Sequence, residues 1–290
     1  MMRAMLRRWV ERRLPWLAKG YRRWRDRRVR GRILPYESVF GFTLHGDMSR
    51  AWGCGKADEN RAHSPELKVF RDILGEVDAV ADVGANIGLF SLLAAQAGKR
   101  VWAFEPSSEN FAFLRRNLAE NGFSTVNAQC FALGEHPGMA ELRGGGEMAS
   151  LTQGWNHQEA TYSERVRVET LDRCVPLAET SDRLLLKVDV EGHEWAVLLG
   201  ARALLTRTAP TTWLLEHGLT ENFPEMNPHF REVFELFWKA GYRSWSVEGG
   251  LREVTPADVD RWLDQGARDF GGLSFLFSRP QDSWTVLRTR

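Results

Sequence analysis

The chain of 290 residues contains few cysteines and no apolar run long enough to cross a bilayer. Its three cysteines, Cys54, Cys130 and Cys174, form no CxxC pair, which argues against a disulfide framework and against a structural zinc site. The longest stretch without a charged residue, 83–98, has sixteen residues including three glycines, whereas a membrane-spanning helix needs about 20 apolar residues. Arginine interrupts every apolar stretch near the N-terminus, so we expect no secretory signal. These absences predict a protein of a reducing, cytoplasmic compartment.

Charge is unevenly distributed along the chain, although the formal net charge is only +1. Residues 1–32 hold thirteen Lys or Arg and two acids, whereas the remainder carries a net charge of −10. Within 1–30, Trp9, Trp16 and several Leu and Met residues recur at helical spacing, with most arginines off that stripe. The pattern predicts a basic amphipathic helix, interrupted at Pro15, that lies in a membrane interface and places the protein on the inner face of the membrane.

Other roles for this basic tail stay open. The helix could instead pack on the body of the protein or on a partner protein. Organelle import is less favoured because the tail contains no serine. Nucleic-acid binding is not expected, because the tail carries no recognisable nucleic-acid module and the body is acidic.

Apolar strands alternate with helical segments from residue 78 onward. The predicted strands are 79–83, 100–105, 125–133, 183–189, 211–216, 242–247 and 273–278, with a shorter candidate at 39–44, and the predicted helices are 65–74, 89–97, 107–121, 193–205 and 228–240. This alternation indicates βαβ units and a mainly parallel sheet. Residues 134–168 are less regular and predict a hairpin whose extended loop lies over a site. We therefore expect an N-terminal extension, 1–32, followed by one α/β domain, 33–290.

The segment 80–88 places a glycine turn between the first strand of this pattern and the next helix. Gly84 and Gly88 would let backbone approach a ligand, and the start of the helix offers free N–H groups. Asp82 and Asn86 add polar ligands. The spacing is GxxxG rather than the GxGxxG of nicotinamide cofactors. The segment predicts a ligand-binding turn, with an ordinary structural turn as the alternative.

Glu105 ends the next strand of the pattern, seventeen residues after Gly88. An acid at this place in a dinucleotide fold accepts hydrogen bonds from the hydroxyls of a ribose. Pro106 then ends the strand and fixes the turn. Together with the glycine turn, Glu105 predicts a nucleoside-binding site.

Four motifs in order resemble the FkbM-type family of class I S-adenosylmethionine-dependent methyltransferases. They are Asp82-Val83-Gly84-Ala85-Asn86-Ile87-Gly88, Phe104-Glu105-Pro106, Ala132-Leu133-Gly134 and Leu186-Lys187-Val188-Asp189-Val190-Glu191-Gly192-His193-Glu194. Thr170-Leu171-Asp172 and Gly200-Ala201 fit the same pattern. The resemblance covers roughly 64–278 and leaves out the tail and the stretch 144–163.

The resemblance implies a fold, a cofactor and a reaction. The fold is a doubly wound, Rossmann-like α/β fold with a mainly parallel seven-stranded sheet whose last strand is antiparallel. The cofactor is S-adenosylmethionine, and the reaction is O-methylation of hydroxyls on sugars, polyketides or other secondary metabolites. The residues implied in cofactor binding are Asp82, Gly84, Ala85, Asn86, Gly88, Glu105, Pro106, Ala132 and Asp189.

Transfer of a methyl group to a hydroxyl needs a base that takes the hydroxyl proton. Asp189, Glu191 and His193 are the candidate catalytic residues, because Asp189 ends the strand predicted at 183–189 and the other two follow it directly. Glu216 ends another strand at the same sheet edge, and His217 follows it. Glu191 could instead cap the next helix, and His193 could be a surface residue at its start. Asp189 and Glu191 could also bind a divalent cation, but nothing in their spacing requires one, so we predict no metal ligand.

Three alternatives stay open for what the site acts on. The resemblance together with the basic tail favours a hydroxyl on a glycan or glycolipid precursor. A soluble secondary metabolite of the polyketide type is the first alternative, and a non-catalytic relic that binds a cofactor or a partner is the second. Trp155, Trp195 and Trp213 are candidates for a sugar-stacking face, although tryptophans more often belong to a core.

Overall fold

The computed structural model describes residues 35–46, 63–155, 162–176 and 180–282. The basic tail and Cys54 lie outside these ranges, so the amphipathic-helix prediction stays a prediction. Among the described helices, none combines the length and the apolar composition that a membrane span requires.

Strands and helices alternate along the described part of the chain. The strands are β1 Tyr36–Glu37, β2 Thr43–Leu44, β3 Ala79–Val83, β4 Arg100–Phe104, β5 Asn127–Gln129, β6 Ala132–Leu133, β7 Gly138–Arg143, β8 Ser163–Glu169, β9 Leu184–Val188, β10 Thr211–Glu216, β11 Arg243–Ser246, β12 Arg252–Val254 and β13 Ser274–Ser278. The helices are α1 Pro65–Leu74, α2 Leu89–Gln96, α3 Ser108–Glu120, α4 Leu171–Cys174, α5 Glu194–Leu199, α6 Arg202–Thr206, α7 Phe230–Lys239 and α8 Pro256–Gln265.

Eight strands form the central sheet, in the order β12-β11-β13-β10-β9-β3-β4-β5. The strands from β10 to β5 are parallel to one another, and β13 is antiparallel to both β10 and β11. This order, with the strand sequence reversing between β3 and β9, is that of a doubly wound, Rossmann-like α/β fold, as predicted. The antiparallel last strand is confirmed as well. The sheet has one strand more than the seven implied by the resemblance, because β12 forms a short hairpin with β11.

The two faces of the sheet are covered by separate hydrophobic cores. Alternate residues of β3 show the division, since Ala81 packs in one core and Val80 in the other. The first core includes apolar residues of α5 to α8, and the second includes those of α1 to α3. Burial on both faces explains why the central strands read as continuous apolar runs.

Helix starts follow local capping signals. The Ser64 hydroxyl accepts the backbone N–H of Leu67, and α1 has the predicted bounds. The sequence analysis missed α8, although Thr255 and Asp258 form a reciprocal capping box with proline at the first turn. That Thr-Pro-x-Asp sequence is a usable signal for a helix start.

Three predicted elements differ from the structure. The strand predicted at 125–133 is two strands, because β5 joins the central sheet while β6 pairs with β8 in a three-stranded sheet. The helix predicted at 193–205 is interrupted at Gly200, where an added Cβ would lie 2.0 Å from the carbonyl oxygen of Gly134. Of the strand candidate at 39–44, only β2 is a strand, and residues 39–41 belong to the turn of a small hairpin formed by β1 and β2. The hairpin predicted within 134–168 is confirmed by the antiparallel pair of β7 and β8.

Candidate active site

A cavity of about 600 Å³ lies at the carboxyl ends of β3, β4, β9 and β10. This is where ligands bind in open α/β sheets. The structure places every residue predicted for cofactor binding or catalysis in the lining of this cavity, although their roles stay predictions. These residues are Asp82, Gly84, Ala85, Asn86, Gly88, Glu105, Pro106, Ala132, Asp189, Glu191 and His193. The loop after β7 lines part of the cavity, in agreement with the prediction that this loop lies over a site. The loop residues in the lining are Gly146, Met148, Ala149 and Leu151.

The two glycines of the turn after β3 lie so close to neighbouring protein atoms that a larger side chain would not fit. Gly84 and Gly88 have φ angles of +81° and +99°. A Cβ on Gly84 would lie 1.8 Å from the carbonyl oxygen of Asp189, and one on Gly88 would lie 2.5 Å from Cδ1 of Leu114. The glycines therefore let the turn pack directly against the end of β9 and against α3, which the sequence analysis did not foresee.

Replacing Gly84 by alanine is expected to lower the free energy of unfolding by about 2–5 kcal/mol. The left-handed conformation costs about 1–2 kcal/mol once a Cβ is present, and overpacking adds about 1–3 kcal/mol. Gly98→Ala is the matched control, because Gly98 also has a positive φ (+74°) but no atom within 4 Å of its added Cβ. Chemical denaturation of both variants measures the difference, and equal losses would contradict the close approach of Gly84 to Asp189.

Glu105 is buried at the end of β4, and its carboxylate accepts backbone hydrogen bonds. One oxygen accepts from the N–H of Asn86 at 2.8 Å, and the other accepts from the N–H of Ser107 at 2.9 Å. The amide of Asn110 adds a longer bond at 3.4 Å. Burial raises the pKa of Glu105 to about 7, although these hydrogen bonds oppose the shift. Glu105 thus connects the glycine turn to the start of α3 and also faces the cavity.

Asp82 is buried at the end of β3 and accepts a hydrogen bond of 2.6 Å from the hydroxyl of Ser91. Burial raises the pKa of Asp82 to about 6, while Ser91 and the charge of Lys187 lower it. The carboxyl group therefore fixes the start of α2 beneath the turn as well as lining the cavity.

Carboxylates from three elements surround one buried lysine at the β9 side of the cavity. The ammonium of Lys187 lies 3.0 Å from Glu66 on α1 and 3.4 Å from Asp189, and it lies over the ring of Phe90. Burial alone would lower the pKa of Lys187, but the neighbouring carboxylates of Asp189, Glu66 and Glu216 raise it well above its ordinary value. The charge of Asp189, together with burial, raises the pKa of Glu216 well above its ordinary range.

Sequence reasoning missed Lys187 and Glu66 as functional candidates. Lys187 lies within an apolar strand, where a fully buried charge is rare and needs a partner. A lysine at such a position could have been recognised from the sequence as a buried, paired charge. Its partner Glu66 is far away in the sequence and could not be identified without the fold.

Glu191 and Gly192 form a turn that is tied to the loop over the cavity. The indole N–H of Trp155 donates to the carboxylate of Glu191 at 2.9 Å. The hydroxyls of Ser150 and Thr152 donate to the carbonyl oxygens of Glu191 and Gly192 at 2.5 and 2.8 Å. The carboxylate of Glu191 therefore holds Trp155, and the carbonyl oxygens of the turn hold the loop in place.

The remaining candidates differ in where they lie. His193 borders the cavity at the start of α5, and burial lowers its pKa, which favours the neutral imidazole. His217 is buried outside the cavity lining, where it stacks on Phe230 with its Nδ1 3.7 Å from the Glu194 carboxylate. Trp213 belongs to the first core rather than to a sugar-stacking face. Within the described ranges, no group of three or more His, Cys, Asp or Glu residues could hold a metal ion.

Comparison with known protein families identifies one domain. The model of the methyltransferase FkbM domain matches residues 82–244, which is more than half of the chain. The match begins at the first strand end of the cavity and includes all four sequence motifs.

Two curated relatives each match part of the chain. A hexuronic acid methyltransferase, AglP, of Haloferax volcanii is 28% identical over 141 residues, which cover 48% of this chain and 56% of the relative. The 31-O-demethyl-FK506 methyltransferase FkbM of Streptomyces tacrolimicus is 34% identical over 119 residues, covering 40% of this chain and 45% of the relative. The chain thus spans about half the length of the curated relatives it matches.

Solved structures overlap more loosely. The overlap with a SAM-dependent methyltransferase from Agrobacterium tumefaciens covers 86% of this chain and 71% of that protein, at 14% identity and a TM-score of 0.44. A ribosomal protein L11 methylase from Lactobacillus delbrueckii subsp. bulgaricus gives a TM-score of 0.40 at 12% identity, covering 84% of this chain and 88% of its own. The fold assignment depends on the observed strand order and not on these overlaps.

Proposed function

The chain belongs to the FkbM methyltransferase family, and on that premise we propose that it transfers a methyl group from S-adenosylmethionine to a hydroxyl of a glycan or glycolipid precursor. The observation that carries the proposal is the cavity itself, which gathers the glycine turn, Glu105 and Asp189 at one sheet edge. Its volume of about 600 Å³ lies within the range of about 300–1,000 Å³ that is usual for small-molecule sites.

The residues at the β3 and β4 ends fit a nucleoside-containing cofactor. The buried carboxylate of Glu105 faces the cavity and can accept hydrogen bonds from the two hydroxyls of a ribose. Gly84, Ala85 and Asn86 bring backbone to the cavity wall, and Ala132 and Pro106 add apolar surface. When bound, the cofactor supplies a methyl group on a sulfonium, which is the electrophile of the reaction.

We expect the affinity for S-adenosylmethionine to fall about tenfold from pH 8 to pH 6, because binding is coupled to the ionisation of Glu105. The pKa of about 7 in the free protein means that Glu105 takes up a proton over this range. Ribose hydroxyls donate to the ionised form, so binding lowers the pKa of Glu105 and is favoured at the higher pH. Calorimetric titrations at several pH values measure the slope, and in Glu105→Gln the slope should flatten. An affinity that is constant or rises toward pH 6 would rule out a ribose contact by Glu105.

The β9 and β10 ends fit the chemistry of the acceptor hydroxyl. Asp189 faces the cavity next to the buried ammonium of Lys187, which stabilises its negative charge. A carboxylate in this position can orient a hydroxyl and take its proton as the new bond forms. His193, held neutral by burial, is a second proton acceptor at the same end. The contacts of Glu191 with Trp155 favour a positioning role for Glu191 rather than a role as the base.

The choice of a glycan acceptor is supported by a named relative and by the polar lining of the cavity. The Haloferax relative is named for a hexuronic acid, a sugar derivative, and carboxylates at the acceptor end are good partners for several sugar hydroxyls. The Streptomyces relative, named for 31-O-demethyl-FK506, favours the alternative of a soluble polyketide-type acceptor. Methyl-labelled S-adenosylmethionine incubated with neutral glycosides and with polyketide alcohols separates the two.

The glycolipid part of the proposal depends on the basic tail. Residues 1–32 carry thirteen Lys or Arg and two acids. A basic amphipathic helix of this kind would hold the domain at an anionic membrane surface, where lipid-linked sugars are presented.

A further inference from the structure

Among the residues that the structure describes, the acceptor end of the cavity combines several carboxyl groups with one cation, Lys187, that is already engaged. From this arrangement we infer that the acceptor is a neutral hexose with no carboxylate or phosphate beside its reacting hydroxyl. The inference rests on the proposed function, and it narrows the substrate class of that same site.

The first step is the charge of the lining. Glu66, Asp189, Glu191 and Glu216 all line the cavity at or next to the ends of β9 and β10. Lys187 is the only Lys or Arg among the described residues of the lining. An incoming anion would therefore meet several carboxylates and one ammonium.

The second step is that Lys187 has no capacity left for a substrate anion. Its side chain is only 1% exposed and lies between Glu66, at 3.0 Å, and Asp189, at 3.4 Å. The ring of Phe90 covers it at 5.1 Å. A substrate carboxylate could reach this ammonium only by displacing one of the two carboxylates that already balance its charge.

The third step concerns the other cations close to this end. Arg268 is near enough to interact with Glu216, but its guanidinium donates to Glu221 and to the carbonyl oxygen of His217, and it is absent from the cavity lining. His193 borders the cavity, and its burial favours the neutral form. Neither side chain offers a free positive charge to an acceptor.

The same groups suit an uncharged polyol. Each carboxylate oxygen accepts hydrogen bonds, and a hexose presents several hydroxyl donors within one ring. Hydrogen bonds to a charged acceptor are stronger than those between neutral groups. A carboxylate on the sugar would take the place of a hydroxyl donor and would be repelled by the carboxylates of the cavity. This repulsion lowers the affinity wherever solvent screening is weak. This selectivity would distinguish the chain from its Haloferax relative, which is named for a hexuronic acid.

A matched pair of glycosides tests the inference. The protein is first loaded with S-adenosylhomocysteine, and binding of 4-nitrophenyl glucoside and 4-nitrophenyl glucuronide is then measured by calorimetry. The two probes differ only in a hydroxymethyl group against a carboxylate. We expect the glucoside to bind at least about tenfold more tightly, because one like charge within several ångströms has at least this effect at intermediate dielectric. Equal or tighter binding of the glucuronide overturns the inference, and so does the failure of both glycosides to bind.

A charge-neutralising variant tests the cause of the selectivity. Glu191→Gln removes one negative charge at the acceptor end, where Glu191 lines the cavity next to Asp189, and is expected to narrow the preference for the glucoside by about threefold or more. Glu109→Gln is the matched control, since Glu109 also lines the cavity but lies on α3, which follows β4, two strands away from β9 in the sheet. Its preference should equal that of the unmodified protein. An unchanged preference in Glu191→Gln would contradict the electrostatic explanation.

The loading step separates this inference from the proposed function. If the folded protein does not bind S-adenosylhomocysteine, the proposed function fails and the inference fails with it. If the nucleoside binds but the glucuronide is accepted as well as the glucoside, only the inference fails.

Discussion

Replacing Glu105 by alanine is expected to weaken the binding of S-adenosylmethionine by about 100-fold or more. A hydrogen bond to a charged group is worth about 1.5–3 kcal/mol, and two ribose hydroxyls would lose their acceptor. The loss of about 3 kcal/mol corresponds to somewhat more than 100-fold in affinity. The backbone N–H groups of Asn86 and Ser107 also lose their partner, which loosens the turn that the cofactor is expected to touch.

Calorimetry of the folded variant measures this effect, with thermal unfolding as the check on folding. Glu105→Gln is the matched control, because glutamine keeps the length of the side chain and one oxygen acceptor but removes the charge. Its affinity should lie between those of Glu105→Ala and the unmodified protein. Binding of unchanged strength by Glu105→Ala would show that Glu105 is only a structural link between the turn and α3.

Replacing Asp189 by asparagine is expected to lower the rate of methyl transfer by about 100- to 10,000-fold, the usual contribution of a positioned general base. Asparagine keeps the size of the side chain but cannot take the hydroxyl proton. The affinity for S-adenosylmethionine should change by less than about tenfold, because the ribose contact and the glycine turn remain. Single-turnover transfer of a labelled methyl group to an accepted glycoside measures the rate separately from cofactor binding.

Glu191→Gln is the matched control for this experiment. It makes the same change from acid to amide on a residue that also lines the cavity, but its side-chain oxygen can still accept the indole N–H of Trp155. We expect its rate to remain within about tenfold of the unmodified protein. A loss in Glu191→Gln as large as that in Asp189→Asn would identify Glu191 as the base instead.

The cofactor end of the site could be predicted from sequence because its signals are local. Asp82, Gly84 and Gly88 lie within seven residues, and Glu105 follows at the end of the next strand. In a parallel sheet, neighbouring βα units bring such residues to one edge without any further information. The structure accordingly places all of them in one cavity.

The acceptor end could be predicted only in part because its contacts are long-range. Lys187 and Glu66 meet across more than one hundred residues of chain, and no local pattern pairs them. Asp189 and Glu216 were each recognisable as strand ends, but their effect on each other depends on the pairing of β9 with β10. The requirement for glycine at position 84 likewise comes from Asp189, which is distant in sequence.

Titration of the purified protein with S-adenosylmethionine, alongside NADH as a nucleotide of another class, shows whether the cavity is the cofactor site of a methyltransferase. We expect one saturable site for S-adenosylmethionine and competition by S-adenosylhomocysteine. We expect no comparable binding of NADH, because the turn lacks the GxGxxG spacing. A folded protein that binds NADH at this site, or that binds no S-adenosylmethionine in the presence of neutral glycosides and anionic vesicles, would contradict this assignment.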